Sequence, residues 1–530
     1  MSAATNIPEP LAVPVAVTPT PETAEFRQRL GSISRQSAVY FAGTIFTAAA
    51  GYFFKVYLAR SLGAEALGLY ALGMSVVGLL GLINAAGLPS AATRFIAEYQ
   101  SRGDFRRLGA FLRRSFGLLS FGNLLLGAVL IAMGPWIAVH FYHAPALAPY
   151  FWLFALIMLF GVLSTFFGQA MAGYRDVAKR TFITHFIGTP ANMILAVILI
   201  SVGFGLYGYL AAQVASGLLV LVLLGISVWK STPAEARVHG PKAKMEQEVV
   251  AFSATAFGIA GIEFLLGQTD KIVLGYYLEP RRVGVYAVAT ALVGFVPIAL
   301  QSVNQIFSPT IAELYATGKH ALLQQLYATL TKWILMLTLP LAFVMIFLAR
   351  PLMTIFGKGF ESGASVVVIG TIGQLLNCAV GSVGYLLLMS GNQTRLIQIQ
   401  AWNAALMIGL SLVLVPRLGI LGAAIASAVT VITTNLSSLA AVFRTLRLFP
   451  YNAGYRKLVP PLFILSAVLA ALFVVSPRIH SPWAIALLGL TLAYGSFMGT
   501  LLLVGLEPED RRFATMIWRR LNLLRNGASS

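Results

Sequence analysis

Glu263, Asp270 and Lys271 stand inside one long apolar stretch, 249–277. An ionised side chain at the centre of a bilayer costs about 3 kcal/mol on insertion scales, so such groups turn toward a bundle interior or a wet cavity. Glu263 and Asp270 are seven residues apart (270 − 263 = 7), nearly two helical turns, which predicts both carboxyls on one helix face. Mid-run burial of Glu263 and its pairing with Asp270 would suit a site that takes up a proton or holds a coupling cation. Lys271 offers different chemistry. An ammonium is a compact point charge that suits a phosphate without demanding bidentate geometry. Lys55 is its counterpart, because the interval from Lys55 to Tyr70 recurs from Lys271 to Tyr286 at one shift (271 − 55 = 286 − 70 = 216). Two equivalent lysines on the first helices of two related units would approach a central anion from two sides. The alternative is that each reaches outward to the membrane interface.

Other groups have plainer expectations. Arg94 and Glu98 lie one turn apart, a spacing that allows a local ion pair, and are assigned to a cytoplasmic gate or a fold-stabilising contact. Arg113, Arg114 and Lys332 read as lipid-headgroup anchors. Gln268, Gln301, Asn304, Gln305, Gln374 and Asn377 are intramembrane amides, suited to sugar contacts or to hydrogen bonds between helices. Pro190, Pro297 and Pro340 would permit kinks in their helices. His140 and His143 sit beside prolines and read as an interfacial loop rather than a metal pair. The single cysteine, Cys378, allows no internal disulfide and no cysteine metal site. The sequence has no P-loop, nucleophile elbow or zinc-binding helix pattern, so no enzyme, cofactor or ATP-driven activity is expected.

The elements that position these groups follow from composition. The chain is 58% hydrophobic and only 10% charged, too little charge to cover a soluble surface. The net charge of +19 has no separate basic domain behind it, so it reflects basic cytoplasmic loops and not nucleic-acid binding. Apolar runs occur at 38–57, 67–88, 111–133, 149–171, 182–202 and 207–228. After a polar break they resume at 249–277, 283–307, 326–348, 364–389, 396–415 and 421–442, and then at 458–475 and 483–504. At roughly 20 residues per span this predicts an all-α polytopic membrane protein of about 14 transmembrane helices. The loops 94–114, 175–180, 230–244, 444–457 and 511–525 carry most of the Lys and Arg and fall on one side if helices alternate. That side is assigned to the cytoplasm, with both termini there.

The expected organisation is a disordered tail over 1–31, a first unit over 32–229, a linker at 230–248, a second unit over 249–443, two further helices within 444–506 and a basic tail over 507–530. The 12-residue stretch 26–37 reads as an amphipathic lead-in at the membrane face. The repeat runs beyond its first appearance. Ile96-Ala-Glu98 with Gly103 recurs as Ile311-Ala-Glu313 with Gly318, and Gly205-Leu-Tyr-Gly208 as Gly419-Ile-Leu-Gly422, at shifts of 215 and 214 (311 − 96; 419 − 205). Ordered matches at a near-constant shift mark a duplicated unit. Six spans per unit keep both in one orientation, related by an axis along the membrane normal, a geometry suited to alternating access.

With these residues in view the chain resembles the polysaccharide transport family, the O-antigen and exopolysaccharide flippases of the multidrug/oligosaccharidyl-lipid/polysaccharide exporter superfamily. The likeness rests on Leu62-Gly63 with Gly68-Leu-Tyr70, Gly87-Leu88, Arg94-Phe-Ile-Ala-Glu98-Tyr99 with Gly103-Asp104, and Asp270-Lys-Ile-Val-Leu-Gly275 with Val283-Gly-Val-Tyr286. The resemblance implies a V-shaped pair of parallel-repeat six-helix lobes plus two C-terminal helices, in the cytoplasmic membrane. It implies a flippase for undecaprenyl-diphosphate-linked oligosaccharide serving cell-surface polysaccharide biosynthesis. Lys55 and Lys271 are then the diphosphate-binding pair, Glu263 and Asp270 the ion-coupling pair, and Arg94 and Glu98 the gate. Implied partners are the lipid-linked oligosaccharide, membrane lipids, H+ or Na+, a polysaccharide polymerase and a chain-length regulator. A lipid II flippase or a cation-coupled multidrug exporter of the same superfamily is the alternative. A membrane glycosyltransferase would need a carboxylate-rich catalytic loop, and the loops here are short and mostly basic.

Overall fold

The computed structural model describes residues 21–237 and 246–505, with side chains from residue 50 onward except at 306 and 453. Residues 1–20 of the expected first tail, the whole of the tail 507–530 and residues 238–245 of the linker lie outside these residues. Among the described residues the chain is helical, with no strand. The first half comprises α1 (Pro21–Ala85), α2 (Leu88–Arg102), α3 (Phe105–Trp136), α4 (Phe151–Gly173), α5 (Val177–Thr181), α6 (Thr189–Ser201), α7 (Gly205–Ser231) and α8 (Ala234–Arg237). The second half comprises α9 (Gln247–Tyr277), α10 (Pro280–Val293), α11 (Ile298–Ala316), α12 (His320–Phe347), α13 (Ala349–Thr354), α14 (Ala364–Val380), α15 (Val383–Met389), α16 (Gln393–Leu418) and α17 (Ile420–Leu446). Last come α18 (Val459–Val475) and α19 (Pro482–Val504).

Twelve of the described helices are long and apolar enough to cross a membrane, or thirteen with one bent pair counted as a span. The expectation of about fourteen counted 38–57 and 67–88 separately; the first run and most of the second lie on the two parts of α1, which meet at a break. A straight helix of its 65 residues would run on the order of 100 Å at 1.5 Å per residue, against roughly 30 Å of hydrocarbon. α1 breaks at Gly63, whose φ of 79° and ψ of 175° are non-helical. The helix also starts inside the stretch read as a disordered tail, at Pro21, a residue suited to a helix's first turn. The bent pair is α10 with the start of α11, turned by 51° at Gly294–Pro297. Proline at that point has no N–H for the helix ladder, which is the cause of the kink expected at Pro297.

Caps set several helix ends. Asp104 and Asp176 accept from the amides of Arg107 and Lys179 at 3.0 and 3.1 Å, and Gly103 closes α2 with φ of 69°. In lipid, helices associate through close packing of small residues rather than through hydrophobic burial. Two glycines carry this to its limit. A Cβ on Gly68 would collide with the Pro280 carbonyl oxygen, and a Cβ on Gly284 would collide with that of Ala64. These contacts are images of each other under the repeat (284 − 68 = 280 − 64 = 216). Reciprocal contact of this kind is what a two-fold relation between duplicated units produces. It fastens α1 to α10 at the end away from the basic loops.

Candidate functional site

The site is built on α9, whose Asp270 is buried in the membrane-spanning part of the helix. Asp270 accepts from the Tyr286 hydroxyl of α10 at 2.7 Å and from the Lys271 amide at 2.8 Å. Tyr286 is itself fully buried, so both the carboxylate and its donor are removed from lipid. The Lys271 ammonium turns back along its own helix, donating to Gln268 Oε1 at 3.0 Å and the Gly267 carbonyl at 3.3 Å. Lys55 enters from α1. Lys55, Asp270, Lys271 and Tyr286 line one cavity of about 480 Å³, with Thr290, Gln374 and Ser427 on its wall. With both lysines and the aspartate ionised, its fixed charge is positive, and amides and hydroxyls are within the same enclosure. Such a chamber can exchange water for fixed cations around an anion that lipid alone would not admit.

Glu263 is not part of this cavity. It lies exposed on α9, which corrects the expectation of a buried carboxyl beside Asp270. Seven residues return a helix to nearly the same face, but they also move about 10 Å along its axis. Over that distance α9 passes from an enclosed to an open surface. Lys332 is a second correction: it is buried within α12 and is not an interfacial anchor. Arg113 donates to the Ala236 carbonyl at 3.3 Å.

Arg94 and Glu98 are brought together as expected, at 3.9 Å, yet the shorter bond lies elsewhere. Arg94 donates to Glu248 of α9 at 2.7 Å and sits over the rings of Phe95 and Phe252, 5.0 and 4.9 Å from their centroids. Glu98 pairs instead with Arg102 at 2.9 Å. Next to this, Tyr99 donates to Glu246 at 3.0 Å, and Arg107 bridges Asp104 and Glu246 at 3.1 and 3.0 Å. The local pair is therefore one member of a latch joining α2 of the first half to the start of α9 in the second. Glu246, Glu248 and Arg107 were not singled out in the sequence, where they read as ordinary loop charges.

The repeat also exposes an asymmetry. Met74, Gln213 and Gly217 line a second cavity of about 350 Å³ in the first half. Their repeat mates Thr290, Ser427 and Val431 line the charged one (290 − 74 = 216; 427 − 213 = 431 − 217 = 214). In the first half Asp270 has Phe54 as its counterpart (270 − 54 = 216). Tyr70, the mate of Tyr286, accepts from Gln213 Nε2 at 2.8 Å. That cavity's wall is neutral and largely apolar with a few polar groups, of which the buried oxygens Ser164 Oγ, Asn192 Oδ1 and Gln213 Oε1 have no partner among the described residues. The π-helical turn Phe182–Gly188 borders it, carrying Thr184. Such turns concentrate at functional positions.

The family model described as "Polysaccharide biosynthesis protein" matches residues 57–363, more than half the chain. The chain belongs to this family. The matched stretch takes in α9, α10 and the latch. Among solved structures, lipid II flippase MurJ in an inward closed conformation is similar, with 15% identity, a TM-score of 0.65, and coverage of 87% of this chain and 98% of that one. An inward-facing multidrug resistance MATE family transporter of the MOP superfamily is similar at 16% identity and a TM-score of 0.63, over 76% of this chain and 94% of that one. A point mutant of the MATE transporter VcmN from Vibrio cholerae is similar at 16% identity and a TM-score of 0.53, over 79% and 98%. No curated protein matches the sequence. The family member thus has a MATE/MurJ-like fold and is a multi-pass membrane protein.

Proposed function

We propose that the protein is a flippase that moves a lipid-linked diphosphate glycan across the membrane by alternating access between its two halves. The observation that carries this reading is the shared cavity of Lys55 and Lys271, one lysine from each half. A diphosphate there would be held by two ammoniums, with Gln374, Thr290 and Ser427 available to sugar hydroxyls. Support for a lipid-borne substrate comes from a neighbouring apolar cavity of about 850 Å³, formed by Tyr52 and Phe53 of α1, Leu337 and Leu341 of α12, and Trp483 and Leu487 of α19. Tyr52 and Phe53 are within one turn of Lys55, so a hydrocarbon chain in the groove and an anion in the chamber would be adjacent parts of one molecule. Family membership in polysaccharide biosynthesis supports the same substrate class.

In this reading Asp270 is the coupling group. Its carboxylate, fixed by Tyr286 on the wall of the same chamber, repels a diphosphate there, so a proton or Na+ taken up by Asp270 would favour substrate binding. Arg94 with Glu248 closes the cytoplasmic end between turnovers. Undecaprenyl is the proposed carrier, with a polymerase and a chain-length regulator as downstream partners in the cytoplasmic membrane.

The deciding experiment is transport of a lipid-linked oligosaccharide in proteoliposomes. Lys55→Ala/Lys271→Ala is expected to insert and accumulate normally while losing at least tenfold in transport rate. A double variant that transports at the wild-type rate would remove the diphosphate assignment.

A further inference from the structure

A cleft of about 1010 Å³ opens between the ends of α16 and α17, beside Tyr315 of α11, at the basic-loop end of the second half. Its wall carries Arg395 and Arg444 and no carboxylate, together with Gln398, Asn403 and Trp402. Trp402 is 72% exposed, so its ring face is open to whatever enters the cleft. Among the described residues neither guanidinium has a hydrogen bond or an ion pair.

The repeat shows that this is a departure and not a habit of the fold. The mate of Arg395 is Arg180 (395 − 180 = 215), and Arg180 donates to Gln169 Oε1 at 3.0 Å. The stretch equivalent to Gln169, residues 383–385, reads Val-Gly-Tyr and provides no amide. The second half therefore has the cation without that side-chain acceptor. Arg444 stands where the first half has Lys230 (444 − 230 = 214), so a cation is present at both positions.

We propose that this cleft is a docking site for a diphosphate-linked sugar, engaged before the substrate reaches the lysine chamber. Two guanidiniums present forks of N–H donors that match phosphoryl oxygens in bidentate fashion. Trp402 gives a flat apolar face for a sugar ring and Gln398 borders it with an amide, while the buried Asn403 is held by Ile399 and Thr433 and stiffens the wall. Bare phosphate would use the arginines alone. α17 connects the two sites, since Val431 lines the lysine chamber and Ala441 the cleft. Ten residues of helix separate them (441 − 431 = 10), about 15 Å along the axis, a separation that one diphosphate-oligosaccharide head can bridge. The inference rests on the flippase reading and names where its substrate first binds.

The test is calorimetric titration of the full chain in phosphatidylcholine nanodiscs, in the Lys55→Ala/Lys271→Ala background so that the cleft is read alone. The probes are a water-soluble short-chain isoprenyl-diphosphate disaccharide, inorganic pyrophosphate and the free disaccharide. The diphosphate sugar is expected to bind, and Arg395→Gln or Arg444→Gln to weaken it at least tenfold. Trp402→Leu should weaken the diphosphate sugar but leave pyrophosphate binding as it was, and should abolish the ligand-induced change in tryptophan fluorescence. Arginine variants that bind like the parent would overturn the proposal. So would loss of binding in phosphatidylglycerol nanodiscs, which would make the cleft a seat for bulk anionic lipid. Neither result touches the lysine chamber, whose failure shows only in transport by the double lysine variant.

Discussion

Tyr286 is what allows Asp270 to be buried. Without the hydroxyl at 2.7 Å the carboxylate would keep only the Lys271 amide at 2.8 Å and leave Oδ2 unpaired, a penalty that Tyr286 reduces. Tyr286→Phe is expected to destabilise the protein by about 1–3 kcal/mol, visible as a lower melting temperature in detergent. Lys271→Ala, which removes a side chain facing the cavity, should leave melting nearly unchanged. Equal melting of wild type and Tyr286→Phe would show that Asp270 is satisfied by other means. At this scale the sequence was informative about charge and less so about its surroundings. Lys55, Lys271 and Asp270 were legible because ionisable residues in apolar runs are rare and two of them repeat. The role of Tyr286 was not, because a neutral tyrosine sixteen residues from Asp270 (286 − 270 = 16) carries no signal until α9 and α10 are packed. Glu263 was misplaced for a related reason: hydropathy locates a span but does not say which part of one helix face is enclosed.

Between elements, the latch from α2 to α9 and the glycine crossing of α1 with α10 act at opposite ends. Arg94 and Glu248 are 46% and 59% exposed, so after solvent screening their ion pair is worth no more than about 0.2–1 kcal/mol. That is small for folding and sufficient to bias two conformations of similar energy. Arg94→Ala or Glu248→Gln should leave thermal stability within error while increasing labelling of a cysteine placed in the lysine chamber from the basic-loop side. Raising ionic strength on the wild type should act in the same direction, because exposed pairs are screened. Unchanged labelling would assign the latch no role in access. The glycine crossing is stricter. Gly68→Leu requires α1 and α10 to separate, and spin labels at that end should report a longer distance between the halves. The sequence indicated Arg94 with Glu98 because i, i+4 spacing is visible in a chain. It did not indicate Glu248, whose partner is 154 positions away (248 − 94 = 154).

The whole molecule is a duplicated unit with unequal halves. The equal part was readable from ordered matches at a shift of 214–216 (419 − 205; 271 − 55), and the all-helical fold follows from long apolar runs. The span count was readable to within one or two: the described helices give twelve or thirteen candidates, and α1, broken at Gly63, carries the first apolar run and most of the second. The unequal part needed the packed structure: the second half, with Lys55 reaching in from the first, lines a charged chamber, and the first half alone lines a neutral, largely apolar pocket. The apolar groove by α19 gives a test at this scale. Leu487→Trp, at a position 66% exposed toward the groove, should tolerate folding and slow transport of long-chain isoprenyl carriers more than short-chain ones. Equal slowing of both would mean that no hydrocarbon tail runs there.

The Gly68–Pro280 and Gly284–Ala64 contacts are one motif used twice, so neither can part while the other stays shut without tilting the halves off their common axis. Separation at that end is therefore an all-or-none event. A side chain added to either glycine should give the same phenotype, and adding both should give little more than one.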